Sequence, residues 1–526
     1  MPIRILFFLI LFLPPSLHAQ QDFDVLHYRY EILLSDASDS IHGMAAVKVR
    51  ILKNGGDIWL DLDLPNQDGT GMHPGTITGQ GVENVHRGND ILKLSFRPAK
   101  KAGDTVTILI PYRGLPANGL IIAKNKFGRR TFFADNWPNR AHHWVPCRDD
   151  PSDKASVEFI VTAPPQYEVV SNGIKVEESS LDGGPKRTHW LEEIPLPTKV
   201  MVIGVAEFAT GLAGEVNGVP VWSWVYPEER DKGFYDYAVA VDILRFFSDY
   251  IGPYPYRKLA NVQSKTMFGG MENASAIFYS ESSVTGQRES EGLIAHEIAH
   301  QWFGNMATEK HFSHLWLSEG FASYLTHIYL ETRYGLQRLQ RGLAEDRQQV
   351  IEFVKTSTRP VVDSLSPFFQ LLNPNSYQKG SWILHMLRRQ VGDSTFRRIL
   401  REYYERFRGK NADSRDFQSV AEQVSRRNLD GFFRQWLHRA GIPKLQVNWK
   451  YNSKQKTIGI TVMQQTAPFS FPLQIAVREG TATRMLTLSV SRPVETFQFS
   501  AKRRPDNLIL DPMVSLLFEG TITEVR

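Results

Sequence analysis

The sequence is almost free of cysteine: Cys147 is the single residue of this type among 526. One thiol cannot form an intramolecular disulfide, and its isolation excludes zinc sites built from several cysteines. A catalytic thiol needs a partner base and a lowered pKa. His142 and His143 lie near Cys147 in the sequence, but no helix N-terminus is predicted beside it. We therefore expect a buried and unreactive thiol.

An excess of charge of either sign is also missing. Lysine and arginine total 61, aspartate and glutamate total 56, and the formal net charge is +5. Without a clustered basic patch, a charge of this size does not indicate nucleic-acid binding. Hydrophobic residues make up 42% and charged residues 22%, as in ordinary globular proteins, so disordered and low-complexity classes are excluded.

Long apolar runs are rare, and the most pronounced one stands at the N-terminus. Arg4 is followed by apolar residues 5–13, two prolines and, at a plausible cleavage point, Ala19. This pattern is typical of a secretory signal peptide. We predict that residues 1–19 are removed and that the exported chain, periplasmic or secreted, begins near Gln20. No second run of about 18 apolar residues occurs, so no membrane anchor is expected after cleavage; an uncleaved N-terminal anchor is the alternative.

The hydrophobic periodicity divides the chain into three parts. Residues 20–228 show the alternating and β-branched pattern of strands, residues 229–441 have apolar residues at helical spacing, and residues 442–526 return to strands. Gly335 and Gly392 follow predicted helices at positions typical of C-cap glycines. The predicted fold class is therefore multidomain α+β, with an N-terminal β domain, a mainly helical domain and a small C-terminal β-sandwich.

The strongest chemical signal is the run His-Glu-Ile-Ala-His, from His296 to His300, in the helical part. On a helix, residues four apart lie on one face, so the two imidazoles can bind one metal ion. Glu297 is offset by one residue, which places it beside the metal, where it can deprotonate a bound water. The alternative is a surface helix with two unrelated histidines.

A catalytic zinc requires three protein ligands. Glu319 stands at the start of a second predicted helix, nineteen positions after His300, and could complete a set of two histidines and one glutamate. His311 and His314 are rival ligands, but they precede that helix, and we expect them to be ordinary polar or supporting residues. The chain lacks the glycine and third histidine of the metzincin pattern at the required positions.

Two weaker signals flank this pair of motifs. Upstream, a paired glycine precedes Glu272, and glycines permit the close approach of a ligand, whose ammonium the carboxylate could bind. Downstream, Tyr377 lies in the first turn of a predicted helix, where its phenol could stabilise an oxyanion. Taken alone, a paired glycine commonly marks only a turn, and a tyrosine in a first helical turn commonly serves only to pack against the core. The upstream residues are Gly269, Gly270, Met271, Glu272 and Asn273.

Taken together, these motifs resemble the M1 family of zinc aminopeptidases, which are gluzincins. The resemblance rests on Gly-Gly-Met-Glu-Asn at 269–273, His-Glu-x-x-His at 296–300, Trp-Leu-Ser-Glu-Gly-Phe-Ala around Glu319, and Tyr-x-Lys-Gly from Tyr377. It extends to Pro-Cys-Arg-Asp-Asp-Pro at 146–151. It therefore covers the first two predicted domains and the general layout of the third.

The resemblance implies a saddle-like N-terminal β domain, a thermolysin-like catalytic domain and a C-terminal β-sandwich. It implies one Zn²⁺ ion per chain, with Glu297 activating the water. It also implies that Glu272 binds the free amine of a peptide substrate and that Tyr377 stabilises the transition state. The implied zinc ligands are His296, His300 and Glu319.

Three positions depart from the family pattern. Gly270 stands where alanine is usual, and Ser318 stands where asparagine is common, which affects the support of the metal ligands more than ligation itself. A glutamine of the first domain often helps to bind the substrate amine, but the corresponding position is Trp137. Whether Asp135, Asn136 or Trp137 assists amine binding is therefore open.

The leading hypothesis is an exported zinc-dependent aminopeptidase that removes N-terminal residues from peptides by attack of a zinc-activated water. A thermolysin-type endopeptidase is the alternative, because zinc, Glu297 and an oxyanion donor suffice for that reaction. A catalytically inactive peptide-binding module is a third possibility, which the presence of Glu297 and Tyr377 disfavours. The expected partners are peptides with a free N-terminus, and neither nucleic acid nor a stable membrane anchor is expected.

Overall fold

The computed structural model describes residues 22–525. The predicted signal peptide, residues 1–19, lies outside the described residues and stays a prediction. Within the described range, no helix is both long and apolar enough to cross a membrane.

The first region consists of strands, as the alternating pattern predicts. An eight-stranded sheet dominates it, in which the first strand pairs antiparallel with the second and parallel with the eleventh. The strands are β1 Phe23–Leu33, β2 Ile41–Ile51, β3 Ile58–Asp61, β4 Gly71–Pro74, β5 Thr78–Gly79, β6 Val82–Gly88, β7 Ile91–Phe96, β8 Thr105–Leu115, β9 Leu120–Lys124, β10 Arg130–Ala134, β11 Ala155–Ala163, β12 Glu168–Ser171, β13 Ile174–Ser180, β14 Lys186–Leu196 and β15 Ile203–Ala206.

The core of this region is formed by the alternate residues of each strand that point inward. Val47 and Val49 of β2 and Ile108 and Ile110 of β8 are buried, and the residues between them face outward. Alternate side chains of a strand point to opposite faces, so these residues form one apolar layer. Cys147 is fully buried beside this layer, and burial raises the pKa of its thiol well above the usual value.

A five-stranded sheet joins the first region to the helical region. Its strands are β16 Ala209–Val216, β17 Val219–Val225, β18 Leu259–Ser264, β19 Gly270–Met271 and β20 Ala276–Ser280, in the order β16-β17-β18-β20-β19. The predicted boundary between residues 228 and 229 therefore separates β17 from the sheet to which it belongs. The pairing favours a boundary nearer Ala209, which periodicity cannot reveal because a strand looks the same in either sheet.

The middle region is mainly helical, as predicted. The segment 235–251, which the pattern predicts as one helix, is divided between two helices. The helices are α1 Arg230–Tyr237, α2 Ala240–Tyr250, α3 Glu291–His300, α4 Trp316–Tyr334, α5 Leu336–Val354, α6 Gly380–Val391, α7 Asp393–Phe407, α8 Ser414–Ser425 and α9 Asp430–Leu437. Two short strands, β21 Ala307–Glu309 and β22 Lys410–Ala412, pair in parallel between them.

Helices α3 and α4 pack antiparallel at the centre of this region. Glu291, at the start of α3, accepts a hydrogen bond from Tyr329 near the end of α4, whereas His300, at the end of α3, contacts Ser318 near the start of α4. Helix α6 crosses the other side of α4 at a pair of glycines. A Cβ added to Gly320 would lie 2.8 Å from Cα of Gly380, so the two backbones are in contact.

The last region is again built of strands, in two sheets with the orders β27-β24-β23-β29 and β26-β25-β28. The strands agree with the alternating pattern predicted for residues 442–526, and the last of them, β29, pairs in parallel with β23. Both sheets bury one face, with Ile460 of β24 and Ile475 of β25 fully buried. The strands are β23 Lys444–Asn452, β24 Thr457–Gln464, β25 Phe471–Glu479, β26 Ala482–Val490, β27 Val494–Ser500, β28 Asn507–Leu510 and β29 Glu519–Glu524.

Two ion pairs with little solvent exposure join the three regions. Lys199 of the first region donates to Glu309 of β21 at 2.5 Å, and both side chains are almost completely buried. Arg347 of α5 donates to Asp511 of the last region, also at 2.5 Å. Because a buried charge is stable only when it is paired, these contacts fix the regions relative to one another.

The glycine contact between α4 and α6 generates a prediction for stability. Gly320→Ala should lower the free energy of unfolding by about 1–3 kcal/mol, because the new methyl group meets backbone that cannot move aside. The matched control is Gly431→Ala in α9, where an added Cβ would meet nothing within 4 Å, so this change should be neutral or stabilising by up to about 1 kcal/mol. Urea denaturation of both variants measures the difference, and equal stabilities would show that the helices can separate without cost.

A candidate metal and peptide-binding site

Three side chains from α3 and α4 converge on one point. The Nε2 atoms of His296 and His300 are 3.1 Å apart, and each lies 3.3 Å from Oε2 of Glu319. The i, i+4 spacing on α3 places the two imidazoles on one face, and the antiparallel packing of α4 brings the carboxylate to it. Among residues 22–525, this is the one group of three His, Cys, Asp or Glu side chains arranged to hold a metal ion.

The spacing of these three atoms fits zinc. Zinc–ligand bonds of about 2.0–2.1 Å in a tetrahedron place neighbouring ligand atoms about 3.3 Å apart. The observed separations of 3.1 to 3.3 Å agree with that value. Two neutral imidazoles and a carboxylate are also a donor set that catalytic zinc uses, with a fourth position free for water or substrate.

The second nitrogen of His300 is held in an orientation suited to ligation. Its Nδ1 lies 3.2 Å from the carbonyl oxygen of Phe303 and 3.0 Å from Oγ of Ser318. A proton on Nδ1 donates to that carbonyl and leaves Nε2 free as a ligand. Gly304, with a φ of 116°, allows this approach, since an added Cβ would lie 3.0 Å from Nδ1. Ser318 therefore supports His300 directly, as its position in the motif predicts.

Buried charge couples the three side chains. Burial opposes a charge on Glu319, but His300 and His296 outweigh it and hold the pKa of Glu319 well below its usual range. Burial likewise opposes a proton on His300, yet Glu319 and Glu272 raise the pKa of His300 to about 9. Burial lowers the pKa of His296. A metal cation held by the same three atoms would replace the positive charge that stabilises Glu319.

Glu297 lies on the adjacent side of α3, and its carboxylate packs against Gly270. An added Cβ at residue 270 would lie 2.6 Å from Cδ and 2.7 Å from Cγ of Glu297. Burial, together with the charges of Glu272 and Glu319, raises the pKa of Glu297 well above its usual range. The glycine at this position therefore accommodates the Glu297 carboxylate, which an alanine would displace.

Glu272 is held by its backbone, and one oxygen of its carboxylate is left unpaired. Its carbonyl oxygen accepts hydrogen bonds from the side-chain amides of Gln301 at 2.9 Å and Asn305 at 2.7 Å. The side chain is buried, and Oε1 has no hydrogen-bond partner in the protein. An unpaired buried carboxylate oxygen is costly, and it indicates a group prepared to bind a cationic ligand.

Tyr377 lies in a π-helical turn, residues Asn375–Lys379, which leads directly into α6. Its ring stacks on that of His296 at a centroid distance of 6.0 Å. Burial and the neighbouring carboxylates raise the pKa of Tyr377 well above its usual value, so the phenol keeps its proton. Lys379 anchors the turn by donating to the carbonyl oxygens of Arg439 and Gly441.

The three candidate metal ligands line one cavity of about 450 Å³, together with Glu272, Glu297 and Tyr377. Of the five predicted peptide-binding residues, the first four line it, whereas Asn273 is fully buried outside the lining. His311 and His314 lie outside it as expected, since their Nδ1 atoms bond to Ser313 and Ser414. The lining residues that the sequence predicts are Gly269, Gly270, Met271, Glu272, His296, Glu297, His300, Glu319 and Tyr377.

Of the three first-region residues whose part in amine binding the sequence leaves open, one lines the cavity. Trp137 lines the cavity, whereas Asp135 and Asn136 are buried and engaged elsewhere. Asp135 accepts hydrogen bonds from Arg140 and from the backbone of Met267. Asn136 donates to two backbone carbonyls and accepts from a neighbouring indole. These two residues therefore position the loops around the cavity and do not contact its contents.

Sequence reasoning did not identify Gln301 and Asn305, which hold the backbone of Glu272. Both are polar and fully buried, and both follow closely after His300. Two amide side chains directly after the predicted metal-binding helix are a sequence signal for a supporting hydrogen-bond role. Their partner, the backbone of Glu272, lies some thirty residues upstream in the chain. Only the folded chain identifies that partner.

Comparison with known proteins identifies two family models in the chain. The Peptidase M1 N-terminal domain matches residues 25–200, and the Peptidase family M1 domain matches residues 235–436. Together these matches cover more than half of the chain and include the two histidines, Glu319, Glu272 and Tyr377.

Similar curated proteins are aminopeptidases by name. Glutamyl aminopeptidase of Rattus norvegicus is 26% identical over 464 residues, which cover 82% of this chain and 49% of the relative. Glutamyl aminopeptidase of Homo sapiens is 30% identical over 61% of this chain and 35% of its own length. Probable aminopeptidase 2 of Sulfurisphaera tokodaii is 26% identical over 73% and 52%. The chain thus spans about half the length, or less, of these relatives.

The geometry of the three ligands generates a prediction for metal binding. The protein should bind one Zn²⁺ ion, and His300→Ala should weaken binding by more than about 100-fold, because loss of a mere supporting partner already costs 10- to 100-fold. His311→Ala is the control and should bind zinc as the unaltered protein does. Competition with a chromogenic chelator measures the affinities. Equal zinc affinity of the two variants would contradict the assigned ligand set.

Proposed function

The chain belongs to peptidase family M1, and we propose that it is an exported zinc-dependent aminopeptidase that hydrolyses N-terminal residues from peptides. The proposed zinc ligands are His296, His300 and Glu319, with one ion per chain. The names of the similar proteins support the reaction class. The activity of the whole chain is a proposal because it spans only about half of those proteins or less.

The observation that carries this proposal is the unpaired carboxylate oxygen of Glu272. Its Oε1 atom is buried without a partner, and the residue lines the same cavity as the metal ligands and Glu297. The ammonium group of a free N-terminus would supply both the missing hydrogen bond and the missing charge. A blocked N-terminus supplies neither, so the site favours cleavage after the first residue over cleavage within a chain.

A bound Zn²⁺ ion would act as a Lewis acid at this site and would lower the pKa of a water molecule. Glu297 is the proposed general base. Its pKa is raised by burial and by neighbouring carboxylates, so the carboxylate readily accepts a proton from water and can return it to the leaving amine. The absence of a side chain at Gly270 leaves room for the Glu297 carboxylate in this position.

Tyr377 is the proposed donor to the developing oxyanion. Its phenol keeps a proton because its pKa is well above the usual value, and its ring is fixed against His296. A donor that is already oriented needs no reorganisation when negative charge forms on the substrate carbonyl oxygen. The close crossing of α4 and α6 supports this orientation, since Tyr377 immediately precedes α6.

The finer domain assignments and the location belong to the same proposal. We assign residues 20–228 to a saddle-like β domain, residues 229–441 to a thermolysin-like catalytic domain and residues 442–526 to a β-sandwich. The pairing of β17 with β18 favours moving the first boundary towards Ala209. The apolar N-terminal run, residues 1–19, supports export. Mass spectrometry of the mature protein tests the cleavage point near Gln20.

Substrates with free and blocked amines test the reaction. Zinc-loaded protein should hydrolyse aminoacyl-nitroanilides, and their N-acetylated twins should react at least about 100-fold more slowly, because Glu272 then faces an uncharged group. A zinc chelator should abolish both reactions. Equal hydrolysis of the twins would favour the thermolysin-type endopeptidase, and zinc binding without any hydrolysis would favour an inactive peptide-binding module.

The role of Glu272 is tested by Glu272→Gln. Loss of a charge-assisted hydrogen bond, worth about 1.5–3 kcal/mol, should lower kcat/KM for free-amine substrates by roughly 10- to 150-fold. Glu291→Gln, at the start of α3 and outside the cavity lining, is the matched control and should change kcat/KM little. A similar loss in both variants would point to a general structural effect.

The role of Tyr377 is tested by Tyr377→Phe. Removal of one oxyanion donor should lower kcat by about 100- to 1,000-fold with little change in KM. The matched control is Tyr324→Phe, whose hydroxyl bonds to His385 between α4 and α6, outside the cavity. Unchanged zinc content in both variants would show that the loss in the first is chemical. An unchanged kcat for Tyr377→Phe would remove the residue from the mechanism.

A further inference from the structure

Aromatic side chains form part of the lining of the cavity that contains Glu272, and we refer to this part as the aromatic wall. Trp137 and Phe268 form it and contact each other edge to face, with ring centroids 6.1 Å apart. Trp137 also contacts Phe312 and Phe369, each at 5.8 Å. In an amino acid, the side chain begins about 2.5 Å from the amine nitrogen. Phe268 stands four residues before Glu272, and both line this cavity, so a substrate whose ammonium is bound by Glu272 would place its first side chain near the aromatic wall.

The aromatic wall is held rigidly by one buried carboxylate. Asp135 accepts from Arg140 at 2.7 Å, and Arg140 in turn donates to the backbone carbonyl of Trp137 at 2.7 Å. Asp135 also accepts from the backbone of Met267, next to Phe268. Asp135 thus fixes the backbone at Trp137, through Arg140, and the backbone beside Phe268. A binding surface that is already fixed discriminates between side chains better than a mobile one.

The indole of Trp137 is buried and makes no hydrogen bond. The residue is only 2% exposed, and its indole Nε1 has no hydrogen-bond partner in the protein. Buried indole N–H groups are usually paired. The surroundings of this ring therefore supply no hydrogen-bond acceptor and are apolar, in agreement with its three phenylalanine contacts.

The charges of the cavity decide which side chains this wall accepts. Among the described residues that line the cavity, four are carboxylates and none is lysine or arginine. Arg140 lies behind Phe268 and Phe369, is only 4% exposed, and is neutralised by Asp135. Lys199, which interacts electrostatically with Glu272, is buried outside the lining and paired with Glu309. An acidic first side chain would meet Glu272 and no available counter-charge.

We propose that the first-residue subsite of this chain takes large, uncharged apolar side chains and rejects acidic ones, and that Trp137 is the residue that sets this preference. The inference rests on the proposed aminopeptidase function, because it assumes that Glu272 binds the amine. This preference would separate the chain from the relatives named glutamyl aminopeptidase, although the family is shared.

A panel of nitroanilides on the full, zinc-loaded chain tests the preference. Leucyl and phenylalanyl substrates should have kcat/KM values at least about 10-fold above the alanyl substrate, since each buried methylene contributes up to that order. The glutamyl substrate should fall at least about 30-fold below the isosteric glutaminyl substrate, because only the charge differs. A glutamyl value that equals or exceeds the leucyl value would overturn the proposal.

Variants of Trp137 test its part in the preference. Trp137→Ala should lower the leucyl-to-alanyl ratio of kcat/KM by about 10-fold and change the alanyl value by less than about 3-fold, because a methyl side chain does not reach the wall. Trp137→Phe, which keeps a ring and so protects folding, should lower the ratio by about 3-fold. Trp449→Phe is the matched control, since Trp449 is buried in β23 of the last region and lies outside the lining, and should leave the ratio unchanged. A parallel loss for both substrates would reduce Trp137 to a structural role and overturn the proposal.

A measurement without turnover separates this inference from the proposed function. Leucine hydroxamate should bind the zinc-loaded protein at least about 10-fold more tightly than the α-hydroxamate of glutamate, as measured by calorimetry. If this difference is found but no nitroanilide is hydrolysed, the proposed function fails and the subsite stands. If hydrolysis occurs with equal leucyl and glutamyl values, the subsite fails and the function stands. Equal affinities of the two hydroxamates overturn the subsite in either case.

Discussion

Helices α4 and α6 cross with their backbones in contact, because neither Gly320 nor Gly380 carries a side chain. The geometry of the site depends on this contact. Glu319 stands one residue before the first glycine, and Tyr377 stands three residues before the second, so the crossing brings a carboxylate and a phenol to the same cavity. Helix α3 packs antiparallel against α4 and adds the two imidazoles. Wider spacing of the helices would separate groups that must act within hydrogen-bond distance.

The site also concentrates negative charge that the fold must offset. Glu272, Glu297 and Glu319 are all buried in one cavity, and buried charges are costly unless they are paired. The histidines offset Glu319, and Lys199, paired with Glu309, stabilises the ionised form of carboxylates nearby. Oε1 of Glu272 is left without a partner. The proposed roles follow this division, since the paired groups hold a cation and the unpaired group awaits a cationic ligand.

Periodicity and spacing predict the regular parts of the fold and the local parts of the site. The order of β-rich, helical and β-rich regions and the family relationship are confirmed. The convergence of His296 and His300 follows from a four-residue spacing on one helix, which is a local property. Sheet membership is not local, and for this reason periodicity groups the hairpin of β16 and β17 with the first region, although β17 pairs with β18 of the second. Asn273 belongs to the predicted motif, but its side chain does not reach the cavity.

The sequence by itself determined which residue types are present at helical spacing, and hence that a metal could be bound with a carboxylate beside it. It also determined the family, because four ordered motifs rarely arise together. Only the tertiary structure decided that Glu319 completes the triangle, that Gln301 and Asn305 hold Glu272, and that Trp137 forms the wall of the cavity. The physical reason is that these contacts join segments far apart in the chain, and their distances follow from helix packing and from buried hydrogen bonds rather than from spacing along the sequence.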